Sequence, residues 1–340
     1  MAARTADYTV PIARVQSFVA LALRRGWDID TMMRAAGISP VLLAQGRSRV
    51  TLEQASALIR QLWAVTDDEL LGLGRMAVPR GTFRLVGSAV LATADNIGTA
   101  LERYVEFNKV IPGTPEVYLA RSAGETVLAV DLDPLDRPIA LLVDAMLATG
   151  HRLLEWATGR RIALRRVEVP YPEPEDVDDY DLIFGAPMVF EVPRAAVVLD
   201  NTVLPTPLVR DESELDQFID RAPADLLVRR DGGISLSDRV RRVLVRDIGH
   251  EWSTTEQLAA RFAMSPQTLR RKLRAEGTSI REIREGILRD AAIDSLTRGT
   301  ETIAALSQRL GFSEPSAFTR AFRRWTGSAP RSYLPRGHRD

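Results

Sequence analysis

Residues 302–330 read TIAALSQRLGFSEPSAFTRAFRRWTGSAP. The apolar positions Ile303, Leu306, Leu310, Phe312, Phe318 and Phe322 fall on two short helical faces, and Gly311, Ser313 and Pro315 punctuate the chain between them. The pattern is a helix-turn-helix. Its second helix carries Arg320, Arg323 and Arg324 beside Phe322 and Trp325, so one face is suited to a core and another to an anion.

The same arrangement recurs upstream, where residues 253–273 read STTEQLAARFAMSPQTLRRKL. Ala259, Phe262, Met264 and Ser265 stand 48 positions before Ser307, Leu310, Phe312 and Ser313. After a one-residue insertion, Leu269, Arg271 and Leu273 stand 49 before Phe318, Arg320 and Phe322. A repeat kept over so many unlike positions marks two copies of one unit. Ala259 and Ser307 are small because the two helices of each unit cross there, and Gly311 suits a positive-φ turn where the first copy has Ala263. Ser253, Ser265 and Ser313 sit where helix caps are expected. The segment 280–296 between the copies predicts a helix roughly 25 Å long. Two helices held at its ends can sit about 34 Å apart, one turn of B-DNA.

The residues from Ile303 through Gly311, Phe312, Phe318, Arg320 and Phe322 to Gly327 and Pro330 resemble the signature of the AraC/XylS family of bacterial transcription regulators. The resemblance implies that Gln267, Arg270 and Arg271 of the first recognition helix meet bases or nearby phosphates of double-stranded DNA. In the second helix the matching positions are Pro315, Ser316, Ala317, Thr319 and Arg320. Pro315 and Ala317 have no side-chain donor, so that helix is expected to read sequence more loosely, with DNA contacts from Ser316, Ala317, Thr319 and Arg320. Arg and Gln can each bond a base edge in bidentate fashion, and each arginine here is equally suited to a phosphate. The aromatic residues are periodic and read as core.

The charge distribution agrees. From Ser235 onward 20 Lys and Arg face 12 Asp and Glu, a net of +8, and the first 234 residues balance it at −8 within an overall charge of zero. The basic third is the part that should seek a polyanion. With no cysteine, the chain has neither disulfides nor thiolate metal sites, as expected of a cytoplasmic protein. The N-terminus lacks the apolar core of a secretory signal, and no long apolar run suggests a membrane partner.

Ahead of the basic third, segments 11–25, 51–65 and 95–108 have helical periodicity. After Pro112, runs at 117–120, 126–131, 162–169, 188–192 and 197–199 are rich in β-branched residues, with helices expected at 138–158, 175–184 and 211–228. The acidic run at 173–181 follows Pro172 and Pro174 and reads as a solvated loop leading into a helix; no metal or other cofactor is expected. The fold class is therefore an α+β N-terminal sensor domain, helical first and then a small mixed sheet with helices, followed by an all-α C-terminal domain. Its parts are an effector-binding and dimerisation domain at 1–228, a linker at 229–234 marked by Gly232 and Gly233, and a DNA-binding domain at 235–340 with helix-turn-helix units at 253–274 and 302–324.

Three stretches of the front part, Pro79 to Phe83, His151 to Trp156 and Phe184 to Pro187, resemble the effector domain of one branch of the same family, which carries an arabinose-binding label. No ligand is carried across, because the sugar sensor is an all-β cupin and this reading is rich in helix. Arg80, Phe83, His151, Arg152 and Trp156 are the candidate effector contacts, and packing accounts for each equally well. The resemblance also implies a homodimer, with RNA polymerase as a further partner. The functional expectation is a DNA-binding regulator whose front domain senses a small molecule. The alternatives are a constitutive DNA binder whose front domain only dimerises, and an enzyme fused to a DNA-binding domain. The enzyme reading is disfavoured: the histidines are dispersed at His151, His250 and His338, and no phosphate-cradling glycine loop is present.

Overall fold

The structure is a computed structural model that describes residues 9–74, 76–133, 135, 140–175, 177, 179–221 and 236–335. The chain forms two compact units, residues 1–55 with 229–340 and residues 56–228. The expected linker at 229–234 lies outside the described residues. The sequence reading grouped the first fifty-odd residues with the sensor; in the structure they pack in one unit with both helix-turn-helix repeats.

That unit opens with strand β1 (Thr9–Pro11), helices α1 (Ile12–Arg25) and α2 (Ile29–Ala35), a 3-10 turn (Pro40–Ala44) and strand β2 (Arg49–Thr51). β1 and β2 pair antiparallel with Val10 opposite Val50. Neither three-residue strand nor α2 was anticipated, since such short elements show no periodicity of their own. α1 buries Ile12, Val15, Phe18 and Leu21 along one stripe. α3 (Leu52–Thr66) begins in this unit and continues into the second.

The second unit contains α4 (Thr82–Thr93), α5 (Ile97–Asn108), β3 (Val117–Arg121), β4 (Glu125–Val130), α6 (Ala140–Thr158), β5 (Leu164–Glu168), α7 (Tyr180–Ile183), β6 (Met188–Val189), β7 (Ala195–Asp200) and α8 (Glu212–Arg221). A capping box between Asn96 and Thr99 starts α5. The five strands form one mixed sheet in the order β3-β4-β7-β5-β6, with β5 and β6 parallel and the other neighbours antiparallel. Val143, Leu147 and Leu154 of α6 join Leu128, Val167, Val197 and Leu199 of the sheet in one core. All five expected strands are present. The helix expected at 175–184 contracts to the four residues of α7, because one turn is enough to bury Tyr180, Ile183 and Phe184; Asp176 and Asp178 of the acidic run are outside the described residues. α4 had not been anticipated, and the helix expected at 211–228 is seen as α8, its last seven positions lying outside the described residues.

Back in the first unit the chain continues through α9 (Leu236–Leu244), α10 (Thr255–Arg261), α11 (Pro266–Ala275), α12 (Ile280–Arg298), α13 (Ile303–Arg309) and α14 (Pro315–Thr326). α10 with α11 and α13 with α14 are the two helix-turn-helix units, and α12 joins them. Leu258, Ala259, Leu269 and Leu273 close the first core with Val240, Leu244, Ile283 and Ile287. Leu306, Ser307, Phe318 and Phe322 are fully buried in the second.

The turns of the two units superimpose in hydrogen-bonding pattern. Met264 N–H donates to Ala259 O at 3.0 Å and Ala263 N–H to Ala260 O at 3.1 Å; Phe312 N–H donates to Ser307 O at 3.0 Å and Gly311 N–H to Gln308 O at 2.9 Å. Both are left-handed helix ends. Gly311 has φ +82° and Ala263 is held at φ +53°, so the first unit closes the same turn despite its alanine.

Asp290, in the middle of α12, is 4% exposed. Its carboxylate accepts from Arg241 Nη2 at 2.7 Å, from Arg289 Nε at 3.1 Å and from Thr9 Oγ1 at 2.6 Å. Burial opposes its ionisation, but Arg289, Arg241 and Arg49 with the Thr9 hydroxyl outweigh that and hold the carboxyl below the usual carboxylate range.

Two predictions follow from these local balances. An added Cβ at Gly311 meets no atom within 4 Å, so Gly311→Ala should cost only the left-handed backbone, about 1 kcal/mol in urea unfolding; Ala263→Gly should gain up to a similar amount. For Asp290, a lowered native pKa makes its contribution complete above the unfolded value of about 4, and that contribution is lost as pH falls through the native value. Wild type should exceed Asp290→Asn by about 3 kcal/mol at neutral pH, with the gap shrinking below about pH 4; a gap that does not change with pH would contradict the assignment.

Candidate nucleic-acid interface

Each recognition helix starts from a fixed cap. The Ser265 hydroxyl accepts Thr268 N–H at 3.1 Å, and Pro266 occupies the first turn of α11. In α14 the cap position is Glu314, followed by Pro315, and Glu314 makes no side-chain cap bond. Its carboxylate takes the Ser316 hydroxyl at 3.1 Å. The prolines thus stand 49 apart, and the residue inserted between the repeats moves the second cap from Ser313 to Glu314. Ser253 is likewise one position early. Thr254 caps α10 through a capping box with Gln257, while Ser253 N–H donates to Asp247 Oδ2 at 2.9 Å.

Leu269 and Leu273 point into the core of the first unit, which turns Gln267, Arg270, Arg271, Lys272 and Arg274 of α11 to the exterior. The helix therefore presents an amide and four cations to the exterior. In α14, Phe318 and Phe322 are buried, and Ser316, Arg320, Arg323 and Arg324 are exposed. Ala317 and Thr319 are half-buried. The Thr319 hydroxyl donates back to Pro315 O at 2.9 Å, leaving its methyl as the group it presents. Arg324 pairs with Glu285 of α12 at 3.2 Å. Phe312 lies edge-on to Phe318 at 5.6 Å and 6.1 Å from Trp325, so these rings belong to the core of the unit. Glu314 went unremarked in the sequence; pairing the two prolines at the shifted spacing would have found it.

Two polar contacts set the base of the first unit. The Glu276 carboxylate, just after α11, accepts Leu236 N–H at 2.9 Å and Ser237 N–H at 2.8 Å, which ties the start of α9 to the end of the recognition helix. Arg284 of α12 lies over the Trp252 ring at 5.4 Å and donates to Ser253 O at 2.6 Å. The first contact holds the end of α11, and the second holds the segment that leads into α10.

The candidate effector residues of the second unit divide into two groups. His151, Arg152 and Trp156 share α6, whereas Arg80 and Phe83 lie at the start of α4. His151 is buried with Nε2 2.7 Å from Ile162 O. Arg152 is buried too, bonded to Glu155 Oε2 at 2.9 Å and to the Ile183 carbonyl. Trp156 stacks on Phe218 of α8 with ring centres 5.0 Å apart. Arg80 is exposed, and Phe83 is half-buried with its N–H on Glu69 Oε2 at 2.9 Å. Burial raises the Glu69 carboxyl above its ordinary range in spite of that bond. A further buried cluster joins Asp144 of α6 to the hydroxyl of Tyr171, with Tyr180 and Phe190 beside it. Burial and the Asp144 charge push the Tyr171 phenol well up. Its members are scattered along the sequence, so no motif announced it.

Residues 26–208 match the arabinose-binding domain of AraC transcription regulators, N-terminal, and residues 258–336 match a helix-turn-helix domain. The chain is 27% identical to the ornithine utilization regulator of Pseudomonas aeruginosa, over 95% of this chain and 96% of that one. It is 28% identical to an HTH-type transcriptional regulator of Mycobacterium tuberculosis, over 98% of each. Among solved structures, the transcriptional regulator CdpR from Pseudomonas aeruginosa is 25% identical over 73% of this chain and 81% of that chain, with a TM-score of 0.29. With a sensor-type domain matched over more than half its length and two helix-turn-helix units behind it, this chain belongs to the AraC family of DNA-binding transcription regulators.

Proposed function

We propose that the chain inserts α11 and α14 into adjacent major grooves on one side of a duplex, and that a small molecule bound by residues 56–228 alters how the two helices are presented. The observation that carries this reading is the repeated arrangement of outer over inward apolar residues: exposed Gln267, Arg270 and Arg271 in α11, and in α14 exposed Ser316 and Arg320 with half-buried Ala317 and Thr319. α12 has 19 residues, about 28 Å at the usual rise, which suits helices one B-DNA turn apart. The deep, narrow major groove of A-form RNA would exclude both.

In this reading Gln267, Arg270 and Arg271 carry the sequence information of the first groove. The second groove is read through Arg320, the methyls of Ala317 and Thr319, and Ser316. Glu314 adds a carboxylate acceptor at the tip of α14, where a cytosine amino group would satisfy it. The effector acts by favouring one presentation of the helices over another, since equal affinity for both shifts nothing. Arg80, Phe83, His151, Arg152 and Trp156 remain the assigned effector residues. His151 and Arg152 act from the buried side of α6, and Arg80 and Phe83 from the start of α4. The similarity to an ornithine utilization regulator makes basic amino acids the first class to test. A homodimer, contact with RNA polymerase and a cytoplasmic location accompany the family reading. So does a regulator in place of an enzyme, and turnover of a ligand by the purified chain would argue against that.

Arg271→Ala should weaken binding to a duplex selected by the wild-type chain by about 1 to 3 kcal/mol and weaken binding to a scrambled duplex less. Equal losses on both would reassign Arg271 to a phosphate. Wild-type affinity should fall steeply as salt rises, because the basic unit releases counterions on contact; a salt-independent affinity would speak against phosphate engagement. Thermal shift of the full chain against basic amino acids, aromatic acids, fatty acids and sugars should raise the melting temperature for one class. If no class does so, the constitutive reading gains.

A further inference from the structure

Within the first unit, the strand pair at the start of the chain touches the DNA-binding helices at two separate places. At the first, Thr9 Oγ1 donates to Asp290 Oδ1 of α12 at 2.6 Å and accepts from Arg49 Nε at 2.8 Å, while Arg49 Nη2 donates to Thr9 O at 2.9 Å. The other oxygen of Asp290 takes Arg241 of α9, which leads into the first helix-turn-helix unit.

The second place lies behind α14. Ser48 Oγ is 2.9 Å from Ser328 Oγ and donates to Thr326 O at 3.2 Å. Arg49 N–H donates to the Tyr333 hydroxyl at 3.1 Å, and the Tyr333 ring meets Phe322 of α14 edge-on at 5.2 Å. Gln45 lies over Gly327, where a Cβ would come within 3.2 Å of its Oε1. Thr9, Ser48, Arg49, Asp290, Ser328 and Tyr333 are all buried. Arg49 therefore reaches both ends: its guanidinium serves the α12 and α9 side, and its backbone serves the α14 side.

Apolar packing tolerates sliding, but buried hydrogen bonds hold only in one geometry. We propose that Thr9, Ser48 and Arg49 are positioning residues for DNA binding: the strand pair is a brace that fixes the orientation of α14 relative to α11, although none of the three meets DNA. This inference rests on the two-groove reading above. It makes the DNA-binding unit discontinuous in sequence, with its alignment set by residues at the opposite end of the chain.

The test uses the full chain and three duplexes: one selected by wild type from a random pool, and two derivatives in which one or the other protected groove segment is scrambled. Thr9→Val keeps the shape and β-branching but removes the hydroxyl; Tyr333→Phe keeps the ring on Phe322 and removes the acceptor for Arg49 N–H. Each should lose about tenfold in affinity for the intact duplex, the size expected for one buried hydrogen bond. Each should change by less than about twofold on the derivatives, where only one helix is engaged. Thr9→Ser should restore the intact-duplex affinity. Equal losses on all three duplexes, or none, would overturn the brace. If Thr9→Val fails to fold, Tyr333→Phe makes the same comparison from the other end. Should wild type itself bind all three alike, the two-groove reading fails, a result distinct from failure of the brace.

Discussion

A carboxylate buried at mid-helix is tolerable only where cations and hydroxyls converge on it, and Asp290 draws that convergence from three directions. Arg241 comes from α9, Arg289 from its own helix and Thr9 from the first strand, with Arg49 behind Thr9. Without this set of partners the charge would be stranded in the interior. The position of Asp290 on α12 therefore dictates where β1, β2 and α9 must lie, and through α12 it bears on both helix-turn-helix units. The first strand and the last hundred residues form one unit for this reason, with a sequence separation of 281 between Thr9 and Asp290.

The two helix-turn-helix units share a backbone and differ in what they display. The turn after α10 and the turn after α13 make the same pair of hydrogen bonds, one through Ala263 and the other through Gly311. The recognition helices begin with the same proline. From there the first helix puts forward Gln267, Arg270 and Arg271, and the second puts forward Ser316, Thr319 and Arg320 around a half-buried Ala317. Duplication kept the scaffold, whose geometry is set by buried Leu258, Ala259, Leu306 and Ser307, and left the exterior to diverge.

The second unit is built from a mixed sheet and a long helix whose inner face carries both apolar and ionisable groups. Leu147 and Leu154 pack on the strands while Asp144, His151 and Arg152 are buried on the same helix with partners around them. Polar groups that are bonded and buried make an interior particular about its geometry.

The helix-turn-helix repeats and the long joining helix were legible because each helix buries one face and leaves a period of 3.6 in the sequence, and the five sheet strands were legible as runs rich in β-branched residues. The inward assignment of Phe312, Phe318 and Phe322 came from helical periodicity, whereas Gln267, Arg270 and Arg271 were singled out by the family resemblance. The cap at Glu314 was half legible, through the spacing of the two prolines. Tertiary structure alone decided that Thr9–Pro11 and Arg49–Thr51 pair, and that the pair joins the DNA-binding helices and not the sensor sheet. A three-residue strand is too short to show a period, and a hydrogen bond between residues hundreds of positions apart leaves no local trace: its partners are ordinary Thr, Arg and Asp until the fold brings them together.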